Sequence, residues 1–232
     1  MNYISFRGVS TTTMTNVEVA QMPAHKKAAV RYTEYTIPGR DGSVHIDEGY
    51  APFDLIDYLI IWGGGASERQ IVNAWADGTG KLFTSDEPTL CWEASVLKGI
   101  EWTRDEHSDG VFFDTAKIIF TCQPFMRETA DRTITVTSDQ TIQNLGNTVA
   151  RPLIKVYGSG DASFTIDGNE ITIAAMQSAH PVTIDAATGY VYTDAGATTM
   201  TGDIPVFKIG LVSIEIGTGV TKLEINPRWG WV

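Results

Sequence analysis

The chain is short of positive charge. Its 232 residues carry 17 Lys and Arg against 28 Asp and Glu, a formal net charge of −11. A grip on duplex nucleic acid needs clustered cations that displace the phosphate counterions. The densest basic spots here are His25-Lys26-Lys27 and Arg31, too sparse for that, so specific nucleic-acid binding is not expected. Cysteine is scarcer still. Cys91 and Cys122 have 30 residues between them, which is neither CxxC spacing nor a disulfide framework, and both read as buried small hydrophobes. The four histidines, His25, His45, His107 and His180, show no HxH or HExxH spacing, so no metal is expected. Long apolar runs are missing: Leu59-Ile60-Ile61-Trp62 falls far below the ~20 residues of a membrane span. The opening Met1 to Gly8 has no basic stretch followed by an apolar run, so no secretory signal is read there and a soluble protein made in a cytoplasm is expected.

Catalytic patterns are absent too. Gly63-Gly64-Gly65 ahead of a helix could cradle an anion, but no GKS, GKT or GxGxxG accompanies it, and a strand-to-helix link is the simpler reading. No serine sits in a GxSxG context, and no carboxylate pair stands apart from turn-rich, solvent-like stretches. Asp167-Gly168-Asn169-Glu170 lacks the 12-residue oxygen ladder of a calcium loop and reads as a hairpin turn. No catalytic, cofactor-binding or metal-binding residue is nominated, no cofactor is expected, and the chain is read as a non-enzyme.

What is present is apolar content and turn chemistry. Hydrophobic residues make up 43% of the 25.3 kDa chain, enough for real cores in one large β domain or two domains of roughly 100 residues each. The stretch Ile37-Pro38-Gly39-Arg40-Asp41-Gly42 is a rigid turn between β-like segments, with proline fixing φ before the bend and two glycines free to take positive φ. Strand-like segments run from Tyr3 to Phe6, around Val17 and Val19, from Ala28 to Ile37 and around Val44 and Ile46. Asp47 to Asp54 reads as an acidic loop, and Leu55 to Trp62 as a buried strand or short helix. The one helix signal predicts a helix over 68–76, with Ser67 as cap, Gln70 at the third helical position, Ile71 and Trp75 on one face and Gly78 at its end. Lys81 to Phe83 is strand-like, and Cys91 to Trp102 pairs with Val111 to Phe120 around the turn Asp105 to Gly110.

A boundary is placed at about 130, giving units 1–130 and 131–232. The second unit is rich in Thr and Gly and shows ten short strands: Thr133–Thr137, Thr141–Gln143, Leu153–Tyr157, Ala162–Ile166, Glu170–Ile173, Val182–Asp185, Tyr190–Thr193, Val206–Ile209, Val212–Ile216 and Lys222–Ile225. That texture indicates a sandwich or closed barrel. Trp229 and Trp231 would share one buried face of a final strand. Six tryptophans and eight tyrosines serve packing first and sugar stacking second, so a carbohydrate-binding or adhesion module recognising a cell surface is the alternative function.

Four stretches carry a resemblance across nearly the whole chain. They are Phe6-Arg7-Gly8; Ile37 to Gly42; Val72-Asn73-Ala74-Trp75 through Gly80-Lys81-Leu82 to Phe120-Thr121-Cys122-Gln123-Pro124-Phe125; and Asn144-Leu145-Gly146-Asn147 with Pro152-Leu153-Ile154. The last continues through Val182-Thr183-Ile184-Asp185, Gly202-Asp203-Ile204-Pro205, Gly210 and Pro227-Arg228-Trp229. In these the chain resembles the distal tail protein (Dit) family of siphophages. The resemblance implies a mainly β chain: an N-terminal tail-tube-like β-sandwich or split barrel with one short helix, and a C-terminal galectin-like β-sandwich. It implies a virion structural protein at the distal end of a phage tail. There a homo-hexameric ring would join the tail tube protein to the tail-tip hub, or tail-associated protein, and the baseplate, and support receptor-binding proteins. The C-terminal part lacks a galectin set of His, Asn, Arg, Trp and Glu at close spacing, so a lectin fold there would be a scaffold.

Overall fold

The computed structural model describes every residue except Met1, Gly64 and Ser108; these three, in the opening segment, the glycine run and the turn Asp105 to Gly110, lie outside the described residues. The chain is mostly β and divides into two compact units, one ending at Thr129 and the other covering Ala130–Trp231.

The first unit begins with β1 (Ile4–Phe6), β2 (Val9–Ser10), a single 3-10 turn at Thr11–Thr13 and β3 (Val17–Gln21). A ribbon of β4 (Val30–Thr36) and β5 (Ser43–Tyr50) precedes β6 (Phe53–Trp62) and the helix α1 (Ala66–Trp75). Then come β7 (Gly78–Thr84), β8 (Leu90–Val96), β9 (Glu101–Glu106) and the long β10 (Phe112–Glu128). Eight strands form one antiparallel sheet in the order β2-β1-β7-β8-β10-β6-β3, with β9 also on β10. Alternation places Ala116, Ile118, Phe120 and Cys122 of β10 beside Leu55, Leu59 and Ile61 of β6 in one core. Helix α1 adds Val72 and Trp75 to it. The Trp75 ring meets Phe6 and Phe120, each at 6.1 Å and edge-on, while its indole N–H donates to the Val9 carbonyl at 2.9 Å. One side chain thereby fastens the helix to both β1–β2 and β10.

Several sequence expectations need correction. The helix starts at Ala66 with Gly65 as N-cap, and no side chain caps it; Ser67 instead donates to Glu68 at 2.7 Å. Its buried face is Val72, Trp75 and the following Ala76 rather than Ile71 with Trp75, since Ile71 points to solvent. Asp47 to Asp54 is not a loop: β5 runs to Tyr50 and β6 starts at Phe53, because its acids are paired, Asp47 with the Gly49 N–H and Asp54 with Thr121 and Lys98. Cys91 to Trp102 breaks at Leu97–Ile100 into two strands that share one edge of β10, β9 along Phe112–Lys117 and β8 along Thr121–Glu128. Pro124 lies inside β10, where a register shift between Cys122 and Met126 accommodates its missing N–H.

In the second unit, β11 (Ile134–Val136), β12 (Gln140–Asn144), β13 (Leu153–Gly158), β14 (Gly160–Ile166) and β15 (Asn169–Met176) are followed by β16 (Val182–Asp185), β17 (Tyr190–Thr193), β18 (Gly196–Ala197), β19 (Gly210–Ile216) and β20 (Val220–Asn226). They make a six-stranded sheet, β11-β20-β13-β16-β17-β18, and a four-stranded sheet, β12-β19-β14-β15. Alternating residues from both, such as Ile154, Val156, Leu223 and Ile225 against Phe164, Ile171, Val212 and Ile214, share one apolar core. Asp167 and Gly168 take φ of +49° and +79°, the left-handed pair that a two-residue hairpin turn between β14 and β15 demands.

Val206–Ile209 is not a strand. Pro205 cannot donate, and only Phe207 pairs, in an isolated bridge with Ala150. The chain end is not a strand either: Pro227 and the positive φ of Arg228 (51°) interrupt it. Trp229 is nonetheless buried against Phe207 at 5.8 Å, and Trp231 packs on the same core. Cys91 and Cys122 are buried thiols in no disulfide among the described residues, as read from the sequence.

One core position is anomalous. Asp57 faces inward from β6 and is fully buried. Among the described residues neither carboxylate oxygen has a well-formed hydrogen bond. Burial pushes its pKa from 3.8 up to about 7, against a smaller opposing pull from the Tyr58 N–H. The unfolded chain therefore ionises first. Stability contributed at this position is present at low pH, falls as pH rises from about 4 towards 7, and is gone above that, a total on the order of 4 kcal/mol. Asp57→Asn, neutral throughout, is expected to unfold at the same temperature as wild type near pH 4 and at a higher temperature at pH 8. Parallel melting curves for the two proteins across that range would show that Asp57 is not a buried acid.

Candidate assembly surface

The ribbon β4–β5 belongs to neither large sheet. Its base is fastened to the first unit. The Ala51 N–H donates to the Ala29 carbonyl at 2.8 Å, and Tyr50 meets Phe125 edge-on at 5.3 Å. The incoming segment is held by His25 Nε2 to Asp86 at 2.7 Å, by the Lys26 ammonium on the Asp54 carbonyl at 2.7 Å and by buried Ala28. Beyond that base the side-chain bonds of Arg31, Thr33, Ser43 and His45 all stay within the ribbon.

Register decides its faces. Tyr32 lies opposite Asp47, Glu34 opposite His45 and Thr36 opposite Ser43; Thr33 lies opposite Ile46 and Tyr35 opposite Val44. Directly opposed residues share a face. One face is therefore polar. His45 approaches Glu34 at 3.6 Å and Ser43 at 3.1 Å, and the Ser43 hydroxyl, with His45 second to it, holds the Glu34 carboxyl below its ordinary range. The other face carries Tyr35, Val44 and Ile46, with Ile37 just beyond β4, and Tyr35, Ile37 and Ile46 are 51%, 45% and 53% exposed. An isolated two-stranded ribbon is marginal in water, and an apolar face with two open edges marks an interaction surface.

The sequence already held a trace of this. The apolar members of the first strand change parity along it, Val30 and Tyr32 against Tyr35 and Ile37, and the register is regular where they do. At the tip the Arg40 N–H closes on the Ile37 carbonyl at 3.1 Å, and Gly39 and Gly42 have φ of +82° and +78°.

The sites weighed and set aside in the sequence are scattered here. His25, His107 and His180 each lie within 3.0 Å of a carboxylate, of Asp86, Asp109 and Asp194 respectively, and serve local pairs. Among the described residues no three of His, Cys, Asp and Glu come together as a metal-binding group. The N-terminus of α1 offers no anion cradle, because the Glu68 side chain folds back against Gly65. Cys122 is no nucleophile: burial pushes its thiol up to about 12.

A double variant Gly39→Val and Gly42→Val forces a β-branched side chain into left-handed backbone at two turn positions. It is expected to leave the core of the first unit folded and to lose the mass of any self-assembled species in light scattering. An unchanged assembled mass would remove the tip geometry from the argument.

No family model matches the sequence, and no curated protein matches it. Solved structures do. The phage SPP1 Dit (gp 19.1) protein, whose structure is described as a paradigm of the hub adsorption apparatus in phages infecting Gram-positive hosts, is 17% identical. It superposes with a TM-score of 0.70 over 97% of this chain and 98% of its own. Two structures of the phage p2 baseplate in its activated conformation, with Sr and with Ca, match 97% of the chain at 11% and 10% identity, with TM-scores of 0.46 and 0.48. Over nearly its full length, this chain has the fold of the SPP1 Dit protein.

Proposed function

We propose that the chain is a structural, non-enzymatic component of a phage tail. In this reading six copies form a ring at the distal end of the tail, between the tail tube and the tip hub or baseplate. The observation that carries the proposal is the whole-length fold likeness, TM-score 0.70 with 97% of this chain covered. Residues 1–130 would close the ring and residues 131–232, a galectin-like unit, would face outward to the hub and receptor-binding proteins. Ring closure is a heterologous contact repeated by rotation, and it needs a surface on each copy that a different surface of the next copy can cover. The β4–β5 ribbon, with its apolar face and open edges, is such a surface, and its occupant is the next copy of the chain. An excess of 28 acids over 17 bases suits a conduit that lets DNA pass without holding it.

Light scattering after size exclusion tests this. The expected result is a discrete species at six times 25.3 kDa, reduced to single-chain mass by Tyr35→Glu with Ile46→Glu on the apolar face. Single-chain mass for the wild type at every concentration, with tail tube protein added as well, would overturn the ring. An assembled species untouched by the two glutamates would overturn the role of the ribbon.

A further inference from the structure

The second unit carries a feature the ring does not use. Along the outer edge of β15 runs an open trough of about 430 Å³. One wall is the solvent side of β14 and β15, with Asp161, Ser163, Glu170 and Thr172; the other is the strap that follows β18, with Thr199 and Thr201, and Thr218 closes one end. The strap is built in. Thr172 and Thr201 exchange both backbone hydrogen bonds at 2.9 Å, and the Asn169 amide donates to the Asp203 carbonyl at 3.0 Å. At position 202 any Cβ would run into the Glu170 carbonyl, so only glycine lets the strap lie this close.

The wall has one irregularity. Gly160 pairs with Met176 and Ala162 with Ile173, so β15 holds one extra residue opposite Asp161. Ala175 takes φ of +52° there, and its N–H donates to Asp161 Oδ1 at 3.0 Å. A bulge of this kind re-aims side chains at a rim, and here it fixes the Asp161 carboxylate towards the trough.

The lining excludes most ligand classes. No Lys or Arg lines it while two carboxylates do, which disfavours anions. No aromatic ring lines it, and its larger apolar residue, Ile173, is 1% exposed, which disfavours flat apolar molecules. Asp161 and Glu170 stand at opposite ends, on the order of 13 Å apart along β15, too far to share a divalent cation. What fits is a ligand rich in hydroxyls and free of negative charge, which can donate to the two carboxylates and both donate to and accept from the Ser and Thr hydroxyls. We infer that this trough is a binding site for a neutral sugar. It is separate from the ribbon, so it stands whether or not the ring forms.

Saturation-transfer NMR with methyl glucoside, galactose and N-acetylglucosamine tests it on the full chain. Each at about 10 mM, in the range of weak single-sugar affinity, is expected to yield a signal for at least one of the three. Glucuronate is expected to yield none. Thr172→Val with Thr201→Val keeps size and backbone bonding but removes two hydroxyls, and is expected to weaken the signal about tenfold. Glu170→Gln, on an exposed side chain, is expected to weaken it as well and guards against misfolding of the double variant. No transfer from all three sugars, equal transfer from glucuronate, or signals unchanged in both variants would overturn the assignment. Light-scattering mass, measured on the same samples, reports the ring separately.

Discussion

The first unit hangs on the alternation of β10. Its 17 residues pair with β6 along one side from Phe113 to Cys122, and with β9 and then β8 along the other. Every second residue from Asp114 to Cys122 enters the core. A slip of one residue would send that whole row to solvent. The change of neighbour falls between Lys117 and Thr121, and the register shift around Pro124 lies farther on, within the pairing with β8 and beyond the alternating row. Helix α1 completes the arrangement by resting Trp75 on Phe120.

Two buried carboxylates in this unit show how a core tolerates charge. Asp114 lies at the end of the inward row of β10 with its side chain 2% exposed. Arg104 binds it through Nε at 2.8 Å and Arg69 of α1 at 2.6 Å. The Arg104 hydrogen bond is the largest cause of its lowered pKa, and the pair ties β9 and α1 to β10. Asp57 on β6 has the burial without the partners, and its pKa moves the other way. The same side chain thus acts as a fastener in one place and a liability in the other. Removing the arginines from Asp114 would recreate the Asp57 situation, because an uncompensated buried charge costs more than the pair contributes.

Much of this was legible in the residues. Strands with strict alternation, such as β13 and β16, were read nearly to their ends, because a half-buried strand writes its face into the sequence. The positive-φ pairs at Gly39 and Gly42 and at Asp167 and Gly168 were visible as turn chemistry. Illegible were features set by distant partners. The acids at 47–54 looked solvated, and only the fold brings Lys98 and Thr121 to Asp54. Ser67 looked like a cap until Glu68 took its hydroxyl. The exposed face of the ribbon was half visible, as a change of parity among the apolar residues from Val30 to Ile37. The trough on β15 was invisible, since it depends on a strap 29 residues beyond Thr172 folding back to pair with it at Thr201.

The placement of these surfaces follows from what each core leaves over. Each unit has an apolar core of its own, and the ribbon and the trough lie outside both. They are a two-stranded ribbon whose apolar side faces water, and a sheet edge covered at Thr172 by its own strap. These call for different partners. An open edge beside an apolar strip gains most from another polypeptide, which can supply both backbone pairing and burial. Where the strap covers the edge, both backbone groups of Thr172 are already paired, so oxygen-rich side chains are what it presents to a ligand. On the two proposals, one chain has a surface for assembly and a surface for recognition whose chemistries do not compete.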